Sequence, residues 1–86
     1  MVRDRIEGDA VLVMAGNYRQ AEDWARARGL QPRDWVYASA EGNLGGLHFS
    51  RYAIVGTFYQ RKDWFSLRQY MRTRLDVDAQ NITDQN

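Results

Sequence analysis

The chain has 86 residues, a formal charge of +1 and no cysteine, with 44% hydrophobic, 13% aromatic and 27% charged residues. This is the composition of one small globular domain, a size that buries only roughly 60 to 65% of its unfolded surface. Near-balanced charge argues against binding nucleic acid through a broad positive field, and the lack of cysteine excludes disulfides, thiolate metal sites and cysteine nucleophiles.

The first residues, Met1 to Asp9, are charged and have no apolar centre, so residues 1 to 8 are expected to form a flexible leader. No apolar run approaches the roughly 20 residues of a membrane span, and the expectation is a cytoplasmic protein that makes no membrane contact. The packed domain is expected over residues 9 to 75. Residues 76 to 86 (DVDAQNITDQN) are polar and are expected to form a flexible tail.

The most informative stretch is the unbroken apolar run Ala10-Val11-Leu12-Val13-Met14-Ala15, which stops at Gly16. Such a run suits a strand covered on both faces. Asn17 then predicts an N-cap, with Gln20 three residues later in a variant of the capping box. Ala21, Trp24, Ala25 and Arg28 recur at helical spacing, Gly29-Leu30 predicts a left-handed C-terminal cap, and Pro32 prevents continuation.

A second strand is predicted over residues 34 to 39, joined to the first by a right-handed parallel crossover. After it, residues 41 to 50 hold Gly42, Gly45, Gly46 and His48, too short a segment for a helical crossover. A third strand is predicted over 51 to 58. Asp63 then caps a helix running from Trp64 to about Leu75, with Trp64, Leu67, Met71 and Leu75 on one face. Of Trp24, Trp35, Tyr52, Trp64 and Phe65, about four are expected to be substantially buried.

These parts predict an α/β fold: a small Rossmann-like β-α-β-β-α unit with a three-stranded parallel sheet in the order 2-1-3 and two helices. The first strand is central and asks for cover on both faces. Two helices give thin cover, so self-association or docking on another protein is expected.

Three places could carry chemistry. Gly16, Asn17, Tyr18 and Arg19 bring a helix N-terminus and a guanidinium to the end of the first strand, where an anion could bind, although a plain turn and cap explains the same residues. His48 is the one histidine in the chain; without a carboxylate cluster it supports neither a metal site nor a catalytic triad, and an enzymatic reading centred on it is the weakest. Tyr59, Arg61 and Lys62 should lie beside Gly16 to Arg19, across the crevice where strand order reverses, mixing stacking faces with phosphate partners, or else form a solvated loop. No cofactor and no metal is expected.

Residues 11 to 22 (VLVMAGNYRQAE) resemble the strand and helix start of the fourth helicase motif, and residues 46 to 55 (GLHFSRYAIV) the fifth, both of the second RecA-like domain. The chain also resembles short Rossmann-like proteins encoded by phages of actinobacteria. His48 stands where the helicase pattern has an acidic residue, and the phosphate-binding lysine loop is missing. The resemblance therefore implies a reduced RecA-like half without ATP hydrolysis, whose nucleic-acid contacts would fall on Gly16, Asn17 and the loop near His48. The expectation is a non-enzymatic accessory protein, phage-borne by this likeness and acting in the host cytoplasm, that works by protein docking or self-association. The alternative is a nucleotide or nucleic-acid binding module using the strand-end loops.

Overall fold

In the computed structural model, the apolar run forms β1 (Val11–Met14), followed by α1 (Tyr18–Ala27), β2 (Trp35–Tyr37), β3 (Phe49–Ile54), α2 (Trp64–Arg72) and β4 (Leu75–Asn81). Residues 10–40, 44 and 48–83 are described. The expected leader and the glycines Gly42, Gly45 and Gly46 lie outside them.

At α1 the Asn17 cap and the glycine ending form as expected, but the Gln20 side chain of the expected capping box accepts from the Gly16 N–H in place of that of Asn17. Asn17 Oδ1 accepts from the Gln20 N–H at 2.9 Å. At the far end Gly29 takes φ +76°, and the N–H groups of Gly29 and Leu30 donate to Arg26 O and Ala25 O, the paired bonds of a Schellman cap. The second helix starts differently from expectation. Asp63 occupies the N-cap position, but its side chain makes no capping bond.

All strands are parallel, in the order β2-β1-β3-β4. The fold is α/β with two helices, but the sheet has four strands where three were expected. Leu75, expected at the end of the last helix, starts β4, and the strand extends through much of the segment expected to be a flexible tail. What holds it is a short anchor. Ile82 is buried and its N–H donates to Tyr52 O at 2.8 Å; Thr83 O accepts from Arg28 at 2.8 Å and from Trp24 Nε1 at 3.4 Å. Arg28 also lies 4.7 Å over the Trp24 ring, which positions both donors.

The two helices cover opposite faces. Leu12 and Met14 point into one core with Phe49, Phe58, Leu67 and Met71, while Val11, Val13 and Ala15 enter the other with Ala21, Ala25, Trp35, Ala53 and Ile82. Residues 10 to 15 are each no more than 1% exposed. One chain thus shields both sides of its central strand, and the expected shortfall in cover is absent. Alanines at the α1 contact allow close approach, and Ile82 adds to this layer. Among the five aromatics, Trp35 is buried, Trp24, Tyr52 and Trp64 are half-buried, and Phe65 is exposed.

β4 is irregular. Phe49 faces Leu75, yet Arg51 faces Gln80, so two steps along β3 match five along β4 and three β4 residues are extra. A bulge of this kind bends the edge strand away from regular pairing.

Candidate functional site

Strand order reverses between β1 and β3, so the expected crevice lies between Gly16 and the Gly56-Thr57 turn. Gln20 fills it. Its Oε1 accepts from the backbone N–H groups of Gly16 at 2.8 Å and Thr57 at 3.0 Å, and its Nε2 donates to Thr57 Oγ1 at 3.1 Å. The carbonyl oxygen stands where an anion would meet those donors. Glycines suit both positions: a Cβ on Gly16 would run into Thr57 Oγ1, and one on Gly56, at φ +61°, into Gln20 Oε1.

Arg61 closes the neighbouring space. It donates to Ala15 O at 3.2 Å, the Tyr37 hydroxyl at 3.4 Å, Ser39 O at 2.9 Å and both Asp63 carboxylate oxygens at 2.8 and 2.9 Å. The guanidinium ties the ends of β1 and β2 to the loop before α2. Its bond to Asp63 raises the Arg61 pKa and holds the Asp63 carboxyl below the usual carboxylate range. An arginine engaged in this way is a structural clamp with little left for a phosphate.

The remaining candidates separate. Tyr18 packs on Trp35 at 5.6 Å and edge-on to Tyr37 at 5.5 Å, so it joins Arg61 only through Tyr37. Arg19 pairs with Asp23 at 3.4 Å along the exposed side of α1, and Asn17 is engaged in capping. Lys62 is exposed. His48 is exposed one residue before β3, at the opposite end of the parallel sheet from Gly16 and Arg61. Tyr59 turns to α2.

There it joins an aromatic row that sequence reasoning did not single out. Phe58, Tyr59, Trp64 and Phe65 meet in successive edge contacts, with centroids 5.2, 5.2 and 5.6 Å apart. The row begins in the core at Phe58 and emerges at Tyr59 (50% exposed) and Phe65 (60% exposed). Trp64, Phe65, Arg68, Gln69 and Arg72 line a shallow hollow of about 220 Å³ beside it. The available signal was Phe65 itself, out of phase with Leu67 and Met71 on the helix.

Among the described residues, no group of three or more His, Cys, Asp or Glu side chains could hold a metal ion, and no helix is long and apolar enough to cross a membrane. Comparison with protein-family models, curated proteins and solved structures finds no match.

Proposed function

We propose that this chain works by docking onto a protein partner through the aromatic row Tyr59, Trp64 and Phe65, flanked by Arg68 and Arg72. The observation that carries this reading is the row itself: rings braced from the core outward by Phe58, ending in two half-exposed aromatics. Braced Tyr, Trp and Arg side chains dominate binding energy at protein interfaces, because little rotamer freedom remains to be lost on contact. Docking on another protein takes precedence over self-association, since β1 needs no second copy to cover it.

The nucleotide or nucleic-acid reading has less support, because the strand-end donors it requires are bonded to Gln20, Asp63 and backbone oxygens. We further propose a small, non-enzymatic, Rossmann-like accessory module working in the cytoplasm, a reading whose structural support is the parallel β1-α1-β2 crossover. A phage-borne origin, which the chain's resemblance to short phage-encoded proteins implies, would put that target in an infected host.

The test is affinity capture from the natural host with the wild-type chain and a Tyr59→Ser/Phe65→Ser variant, with and without nuclease and high salt. Partners retained by the wild type under both treatments and lost by the variant support the reading. Captured material that vanishes with nuclease or falls steeply with salt favours nucleic acid instead.

A further inference from the structure

The sheet ends in a strand that is tied down at two separate points. β4 faces β3 at Leu75 and next at Gln80 and Asn81, and through the bulge between them Asp76, Val77 and Asp78 are exposed. From Leu75 to Thr83 the one buried side chain is Ile82. β1, by contrast, buries every residue it has.

At the near end, the turn out of α2 has none of the usual helix stops. Thr73 keeps helical angles, φ −77° and ψ −13°, and no glycine or proline lies between Met71 and Leu75. The departure of the chain from the helix is fixed from outside, by the bond from the Phe49 N–H to Arg74 O at 2.8 Å. At the far end the Ile82 N–H meets Tyr52 O at 2.8 Å, while Thr83 accepts from the Ile54 N–H at 2.9 Å and from Arg28 at 2.8 Å. These far bonds stand or fall together, because each needs Ile82 in its seat in the α1 layer, beside Trp24. The core under α2, built on Leu12, Met14, Phe49, Phe58, Leu67 and Met71, takes no buried residue from β4.

We propose that residues 75 to 83 form a strap that opens as one unit while β1, β2, β3 and both helices stay folded, baring the edge of β3 and the seat of Ile82. Segments with little buried apolar surface and solvent-exposed backbone are the ones that open below the cost of global unfolding. Closed, the strap caps the sheet with a bulge and two exposed aspartates, features that discourage pairing with a foreign strand; open, it leaves Tyr52 O and the Ile54 N–H unpaired. The strap does not rest on the docking reading, whose aromatic row lies at the start of α2, and either can fail without the other.

The experiment is native-state hydrogen exchange of the whole chain, followed by NMR at rising, sub-denaturing urea. The Phe49, Ile54 and Ile82 amides report the strap, and the Ala38 and Val55 amides, bonded to Val13 O and Met14 O, report the central strand. The three strap amides should share one protection factor, at least tenfold below that of the central pair, and a shallower dependence on urea, since less surface is exposed when the strap alone opens. Ile82→Ala should lower the protection of Phe49 and Ile54 by about tenfold. Strap amides that match the central pair in protection and urea slope, an Ile54 amide that follows Val55 in place of Ile82, or Phe49 and Ile54 amides unmoved by Ile82→Ala would each overturn the proposal. The wild-type profile alone decides the first two of these.

Discussion

Gln20 and Thr57 are locked together across the ends of β1 and β3: the Thr57 N–H donates to Gln20 Oε1 at 3.0 Å while Gln20 Nε2 donates to Thr57 Oγ1 at 3.1 Å. A side chain from the first turn of α1 therefore reaches a loop 37 positions away along the chain, and occupies the place where α/β folds commonly admit a ligand.

Gln20→Ala should cost about 1 kcal/mol in urea unfolding, since water reaches this partly exposed site and replaces some of the lost bonds. Gln20→Glu keeps the accepting oxygen and should cost less. Gly56→Ala, at φ +61° and against Gln20, should cost about 1 to 3 kcal/mol. Its cost should be smaller in the Gln20→Ala background, where the closest clash is gone. Strict additivity in that double-mutant cycle would show that Gln20 does not set the shape of the turn.

Arg61→Ala should destabilise by about 1 to 3 kcal/mol, because it leaves Ala15 O and Ser39 O without their donor. Arg61→Lys should recover little, as an ammonium cannot span a carboxylate and two carbonyls in the same plane. Thermal melts of the three proteins decide this.

The pH dependence of the same clamp has a definite sign. The Asp63 carboxyl has a lowered folded pKa, chiefly through its bond from Arg61, so its stabilisation is complete above the usual carboxylate value of about 4. It is lost as pH falls through the lowered folded value. The gap in stability between wild type and Asp63→Asn should therefore be flat from neutral pH down to about 4 and close in stronger acid. A gap that widens there would contradict the assignment.

The anchor at Ile82 and Thr83 makes a separate prediction. Ile82→Ala should cost about 2 kcal/mol as a large-to-small change in a core, and Thr83→Val should remove the hydroxyl that accepts from the Ile54 N–H at 2.9 Å. Both should loosen the cover of Trp24 and shift its fluorescence to longer wavelength. Unchanged emission and stability would mean that the segment after β4 does not hold the strand.

How legible these features were depended on how local their causes are. The apolar run of β1, the Asn17 cap and the Gly29-Leu30 ending are set by neighbouring residues and could be read directly. β4 was missed although Leu75-Asp76-Val77-Asp78-Ala79 alternates apolar and polar residues, because the segment is polar overall and its alternation does not reach the core, Val77 being fully exposed; the strand is held by backbone pairing and one buried apolar anchor, Ile82. The covering of both sheet faces was misjudged because small alanines on α1 and the late Ile82 close one layer. In the crevice, Gly16 was legible as a turn, but the partner that makes it necessary is Thr57, far along the chain. Arg61 was picked out as a charge facing a ligand; Asp63, two residues on, is a local partner, but the bonds to Ala15, Tyr37 and Ser39 are long-range and leave no local pattern.

Gln20 and Arg61 close the crevice of this fold, which leaves the row Tyr59, Trp64 and Phe65 as the proposed docking surface. The most direct measurement is quantitative mass spectrometry of host proteins captured by the wild-type chain and by Tyr59→Ser/Phe65→Ser, after nuclease and in high salt, with matched melts showing both folded. A defined protein partner should be enriched on the wild type and lost from the variant. The same partner held equally by both, or a wild-type capture that nuclease abolishes, would contradict it.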